Sequence, residues 1–176
     1  MATRDEERHF RTVCGRFATG VTVVLTNTAA GMHGMTANAF MSVSLDPLLV
    51  AVGVHRRGRL APLLKPAGTL FTISVLARDQ QAIAEFYSRP GSGPRPNGRG
   101  IPPVKDDPWV ISGACAWMEC QTYSVVPAGD HDLVLGQVLR CGLDAEREPL
   151  IFYKSHYWEH LDRERDNPAQ WQLLEL

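Results

Sequence analysis

Met35-Thr36-Ala37-Asn38-Ala39-Phe40-Met41-Ser42-Val43-Ser44-Leu45-Asp46-Pro47 is the stretch whose reading decides the fold. Taken as one strand, it places Ala37, Ala39, Met41, Val43 and Leu45 on one face. Thr36, Asn38, Ser42 and Ser44, interrupted by Phe40, fall on the other. Alternation alone admits two readings. The ordinary one is an antiparallel strand with its hydroxyl and amide face in water; the other is a strand that holds the polar edge of a flat ligand.

The flanking sequence continues the strand pattern. Val21 to Thr26 and the almost wholly apolar Leu48 to Val54 read as strands, the latter buried on both faces, with Gly31 to Gly34 and Asp46-Pro47 as turns between them. Thr69 to Leu76, Ala114 to Val126, Asp132 to Cys141 and the short Leu150 to Tyr153 follow, the long pair joined across Pro127 to Asp130. Helical spacing marks residues 4 to 17, where Thr3 and Glu6 form a capping box and Phe10, Val13, Cys14 and Phe17 make a stripe predicted to cover an open end of a sheet. Arg59 to Lys65 predicts one or two helical turns, and Asp79 to Tyr87 a helix carrying Ile83, Phe86 and Tyr87. Strands in series without regular βαβ alternation favour a mainly β, antiparallel barrel with a few flanking helices.

With 176 residues, 44% of them hydrophobic, the chain is read as a single domain over 1–176. Residues 88–108 stand apart as a surface insert rich in Pro and Gly. The formal net charge of −1 argues against nucleic-acid binding or broad attraction to an anionic membrane. No signal core or spanning apolar run is present, so the expectation is a cytoplasmic protein. Cys14, Cys115, Cys120 and Cys141 form no CxxC pair and are read as buried free thiols; His156 and His160 lack an HExxH frame, and no metal is expected.

Two further clusters carry chemistry. His55-Arg56-Arg57-Gly58-Arg59 follows the buried strand and precedes a helical turn. Its guanidiniums, flexible glycine and free backbone N–H groups make a phosphate cradle, the alternative being a solvated basic turn. Gly129-Asp130-His131 opens a strand, where His131 can reach a ligand or simply complete a turn. Asp130 beside His131 suggests a triad, but adjacent strand residues project to opposite faces and no GxSxG element exists. GxGxxG and GxxxxGK[ST] elements are also missing.

Several segments, in order, resemble the flavin reductase family of the FMN-binding split-barrel fold, the reductase components of two-component flavin-dependent monooxygenases. They are Phe17 to Val24, Gly34 to Phe40, Ser42 to Leu49, Leu70 to Leu76, Gly129-Asp130-His131 with Gly136, and Pro149 to Tyr153, spanning about residues 8–158. The resemblance implies a Greek-key split barrel of about six strands, a homodimer with flavin near the subunit interface, and hydride transfer from NADH or NADPH to FMN or FAD. A separate flavin-dependent monooxygenase or halogenase would receive the reduced flavin. By the same resemblance Thr36, Ala37, Asn38 and Ala39 line the isoalloxazine, with Ser42 farther along the strand. The turn His55, Arg56, Arg57 and Gly58 would hold the flavin phosphate, and His131 would stand near the nicotinamide. No residue is expected as a catalytic acid, base or nucleophile, because hydride transfer to a flavin proceeds by positioning and electrostatics. The family's turn is often Asn-Arg-Ser-Ser-like, so 55–58 is a departure. The rival reading is the same barrel as a carrier or sensor of flavin or another planar cofactor, with no reductase activity.

Overall fold

The computed structural model describes residues 2–29, 31–89, 103–104 and 107–158. In chain order the elements are α1 (Arg4–Cys14), β1 (Thr19–Gly20), β2 (Thr22–Thr28), β3 (Gly31–Ala37), β4 (Phe40–Leu45), β5 (Leu48–His55), α2 (Leu60–Leu64) and β6 (Leu70–Val75). A 3₁₀ turn (Arg78–Gln80) then leads into α3 (Gln81–Ser88), followed by β7 (Pro103–Val104), β8 (Asp107–Ile111), β9 (Ala116–Ala128), β10 (His131–Leu143), β11 (Ile151–Tyr153) and β12 (His156–Trp158).

The stretch from Met35 to Leu45 is not one strand. It breaks at Asn38-Ala39, and the two halves sit at opposite ends of a seven-stranded antiparallel sheet ordered β3-β2-β6-β9-β10-β5-β4. That break forces the sheet to close. Three peptide units from Ala37 to Phe40 reach at most about 11 Å, whereas the outer strands of a flat seven-stranded sheet would lie roughly 29 Å apart. The sheet therefore rolls until its edges meet at Asn38-Ala39, where the Gly53 amide donates to the Ala39 carbonyl at 2.8 Å. The result is a Greek-key split barrel of mainly β structure, in which the broken strand serves both edges. Gly31 to Gly34, read as a turn, instead form the start of β3 and pair with Leu25 to Thr28 of β2.

One core cluster fills the barrel: Val24, Val50, Val52, Val54, Phe71, Ile73, Cys120 and Val134, plugged by Leu60, Ala61 and Leu64 of α2. A second lies under α3, where Val21, Val23 and Leu25 meet Leu76, Ala84, Tyr87, Ile111 and Leu150. Because β2 sends Val24 one way and Val23 and Leu25 the other, both faces of that strand are apolar. Fully burying such side chains contributes roughly 1.5–3 kcal/mol each. Gly136 is required here, since a Cβ would lie 2.5 Å from Phe71 Cζ. β5 is buried at Val50, Ala51, Val52 and Val54, but Leu48 is exposed, so the two-sided burial read from sequence begins only after the strand's first turns of pleat.

The capping box at Thr3 and Glu6 forms as read, and α1 closes at Gly15. Its stripe does not cover the sheet. Phe10 is 68% exposed, Val13 56% and Phe17 78%, and no α1 residue is buried. β9 and β10 are joined by a tighter turn than read, Gly129-Asp130 with Gly129 at φ +62°, and β12 adds a strand beyond Tyr153. Cys115 and Cys120 are buried and free, while Cys14 and Cys141 are free but exposed. Most of the insert 88–108 lies outside the described residues, as does His160. Of the insert, Pro103–Val104 pairs with β8.

Candidate functional site

Two clefts lie near the Met35 to Leu45 stretch, one along β3 and one at the β3–β4 break. The polar one, about 710 Å³, is lined from β3 by His33 to Thr36, from the 55–60 turn by His55, Arg57, Gly58, Arg59 and Leu60, and from the end of α3 by Tyr87, Ser88 and Arg89. The apolar one, about 730 Å³, lies under α1. Phe17, Ala39, Phe40, Met41, Leu133 and Phe152 supply most of its surface, and Thr19, Asn38 and Gly53 join them.

The structure separates the residues read as one flavin edge. Thr36 lines the polar cleft and is fixed to α3 by a 2.5 Å hydrogen bond from its Oγ1 to the Ala84 carbonyl. Asn38 and Ala39 are exposed in the break and line the apolar cleft. Ala37 faces neither: its side chain is in the barrel core, and only its carbonyl, which accepts from Thr22 Oγ1 at 2.6 Å, lies on the strand's bonding edge. Ser42 is exposed on β4 opposite Val50, outside both linings, because the break and a bulge between Ser42 and Ser44 reset the alternation.

The basic turn is differently built from the reading of free backbone donors. The Arg56 amide donates to the Asp130 carbonyl (3.0 Å), the Arg57 amide to His55 Nδ1 (3.1 Å) and the Gly58 amide to the His55 carbonyl (2.8 Å). All three N–H groups are spent inside the protein. Arg56 is spent as well: its Nε donates to Asp132 Oδ1 at 2.8 Å, and Lys65 Nζ stands 3.4 Å from Asp132 Oδ2. Asp132 is 2% exposed, and its carboxyl is held below the usual carboxylate range, first by the Arg56 hydrogen bond and then by Lys65, against the opposing effect of burial. Arg57 and Arg59 also line the cleft, where the described residues offer them no carboxylate partner, and Arg89 joins them from the end of α3.

His131 opens β10 directly opposite His55 of β5. The two rings meet edge to face with centroids 5.0 Å apart. Asp130 does reach His131, Oδ1 to Nδ1 at 2.7 Å, since Asp130 lies in the turn rather than in the strand, where adjacency would have kept them apart. No serine, threonine or cysteine is hydrogen-bonded to this pair among the described residues, so it is not a nucleophile-activating triad.

His33, Ser88 and Arg89 of the polar cleft, and Thr19, Gly53, Leu133 and Phe152 of the apolar one, were not singled out as site residues by their local patterns. They come from elements distant in sequence. Two of them mark a ligand-shaped space: Thr19 Oγ1 is buried without a hydrogen-bond partner, and a Cβ on Gly53 would lie 3.1 Å from Ala39 Cβ. An orphan hydroxyl, a floor kept flat by Gly53 and Ala39, and two uncommitted guanidiniums next door fit a planar ring with an anionic tail.

Similarity to known proteins agrees with this geometry. Residues 14–159 match the family described as flavin reductase like domain. The reductase component of 4-hydroxyphenylacetate 3-monooxygenase from Thermus thermophilus is 39% identical over 149 residues, covering 84% of this chain and 93% of that protein. An NADH-dependent flavin reductase from a Rhodococcus species is 37% identical over 158 residues, covering 85% and 84%. Among solved structures, the NADH:FAD oxidoreductase SgcE6 of Streptomyces globisporus, in complex with NAD and FAD fragments, superposes with a TM-score of 0.82 at 28% identity, over 94% of this chain and 99% of that one. BorF, the flavin reductase component of a bacterial two-component tryptophan halogenase, gives 0.75 at 33%, over 89% and 99%. With the family matched over most of its length and these relatives aligned along the barrel, the chain belongs to the flavin reductase like domain family.

Proposed function

We propose that this protein is an NADH-dependent flavin reductase that supplies reduced FMN or FAD to a separate monooxygenase or halogenase. The observation that carries the reading is the pair of clefts, a basic one lined by β3 and the 55–60 turn and a flat apolar one lined by Asn38, Ala39 and Gly53. Relatives so named, aligned over most of the chain, support it.

Arg57 and Arg59 hold the phosphate end of the flavin by charge-assisted hydrogen bonds. Ala39, Gly53, Leu133 and Phe152 give the ring an apolar bed from which water is excluded. Thr19 Oγ1 and the backbone at Asn38-Ala39 supply polar contacts at its edge. Bound flavin contributes the electron-accepting ring, so the protein's own part is to bind, orient and shield. His131 stands at the strand mouth beside the basic turn and orients the nicotinamide. NADH is preferred as donor on the names of the relatives, and NADPH is the alternative to be measured.

The active form is a homodimer. α1 leaves Phe10, Val13 and Phe17 exposed, and β4 is an edge strand carrying exposed Met41, Val43 and Leu45, so an apolar surface beside the flat cleft awaits a second copy. We assign the protein to the cytoplasm, consistent with its free cysteines; among the described residues no helix is long and apolar enough to cross a membrane. Residues 1–176 act as one reductase domain, with 88–108 as an insert.

The test is steady-state oxidation of NADH and of NADPH, followed by nicotinamide absorbance, with FMN and with FAD. Flavin-dependent turnover is expected, fastest with NADH. No flavin-dependent rate with any of the four pairs, despite measurable flavin binding, would leave a carrier and remove the reductase.

A further inference from the structure

Two turns far apart in sequence are stitched into one unit at the mouth of β5 and β10. The Arg56 amide donates to the Asp130 carbonyl at 3.0 Å, and His55 and His131 are directly opposed partners. The Asp130 carboxylate lies between the imidazoles: Oδ1 accepts from His131 Nδ1 at 2.7 Å, and Oδ2 is 3.9 Å from His55 Nε2. His55 is fixed from its other side, because Nδ1 accepts the Arg57 amide proton at 3.1 Å. A nitrogen that accepts cannot carry the proton, so neutral His55 bears it on Nε2, toward Asp130. His131 donates from Nδ1 to the same carboxylate, which leaves its Nε2 without a proton. The nearby cations Arg56 and Lys65 are committed to Asp132, so the groups facing Asp130 are the two rings.

We propose that His55 and Asp130 are positioning residues that couple the basic turn to His131. The link runs from the Arg57 backbone to His55, from His55 to Asp130 and by ring contact to His131, and from Asp130 to the tautomer and orientation of His131. An anion drawn to the Arg57 side chain acts on the same residue whose amide holds His55. Occupancy of the flavin-phosphate turn is thereby read by the imidazole that meets the nicotinamide, and by linkage nicotinamide binding strengthens flavin binding by the same factor. This rests on the reading of the turn as the anion site and of His131 as the nicotinamide neighbour. It assigns a role to the histidine that stands where the family often has asparagine.

The experiment is nitrogen NMR of the full chain with labelled histidine, at a pH well above the range in which imidazoles ordinarily titrate. His131 is expected as the Nδ1–H tautomer and His55 as the Nε2–H tautomer. Inorganic phosphate should shift the Arg57 amide and both rings. In Asp130→Asn, which keeps a turn-forming residue, the Arg57 and His55 responses should persist and that of His131 should shrink severalfold. Kinetically, His55→Asn should raise the KM for NADH about fivefold, within the usual range of coupling between sites, with kcat little changed. A His131 proton on Nε2, or an undiminished His131 response in Asp130→Asn, overturns the proposal. If the Arg57 amide responds while His131 does not, the coupling alone falls; if the amide itself is unmoved by phosphate, the anion-site reading falls and takes the coupling with it.

Discussion

The polar and apolar clefts are nearly equal in volume, yet they are finished differently. The polar cleft is lined by β3, the 55–60 turn and the end of α3, and the amides of Arg56, Arg57 and Gly58 are already satisfied within the protein. The apolar cleft is bordered by α1 residues and by Met41 of the edge strand β4, with Phe17 78% exposed. On the proposed reading, the difference teaches that charge recognition is built into the protomer, where a fixed guanidinium needs a rigid frame, while the flat ring's site would draw on apolar surface that a single copy leaves open.

The largest effect should come from removing the charge half of this division. Arg57→Ala with Arg59→Ala should weaken flavin binding by about 100-fold or more, each charge-assisted contact being worth about 1.5–3 kcal/mol. Titration calorimetry at two ionic strengths checks it, and the wild type alone should show strong salt dependence. Thermal stability should hardly move, since no carboxylate partner among the described residues is lost; a large fall in Tm would mean that the two arginines frame the fold rather than the ligand.

The apolar half is tested by Phe17→Asp combined with Met41→Asp. A charge on each side of the exposed surface should convert a dimer to a monomer by light scattering, with flavin affinity reduced about tenfold through loss of the ring's cover. A double variant that stays dimeric and binds flavin normally would place the second copy elsewhere and erase the proposed contrast between the clefts.

The smallest effect concerns the frame beneath the polar cleft. Asp132 has its carboxyl held below the usual range by Arg56 and Lys65, so the folded state favours its ionised form more than the unfolded chain does. The stabilisation is complete above the ordinary carboxylate pKa of about 4 and fades as pH falls through the lowered folded-state value. Asp132→Asn should therefore reduce stability near neutral pH and flatten the acid limb of a Tm-versus-pH curve. An unchanged acid limb would show that the Arg56–Asp132–Lys65 cluster does not frame the turn.

How much of this was legible beforehand depended on whether the signal was local. The α1 capping box, the helical turn before Lys65 and the two long strands were read correctly, and the burial read for Leu48 to Val54 holds at Val50, Ala51, Val52 and Val54 but not at Leu48, because periodicity and capping act over a few residues. The β11–β12 hairpin was missed since its turn, Lys154-Ser155, adopts positive φ (50° and 63°) without the glycine or asparagine that usually announces it. Ala37 was drawn into the site by the family resemblance, Ser42 by the polar face of the alternation, and Arg56 by charge. The core took the first, the bulged edge strand the second and Asp132 the third.

The sequence by itself determined that this is a β barrel of the flavin reductase family and pointed to Thr36 to Ala39, the basic turn and His131 as its candidate site, because those signals are carried by short contiguous motifs. Only the tertiary structure decided which of those side chains face a ligand. It broke the strand at Asn38-Ala39 to close the barrel, committed Arg56 to a buried carboxylate and left Arg57 and Arg59 to the cleft. It also joined His55 to His131 through Asp130. Which partner a charged or polar group finds is settled by neighbours far away in the chain, and one sequence read along its length does not hold that information.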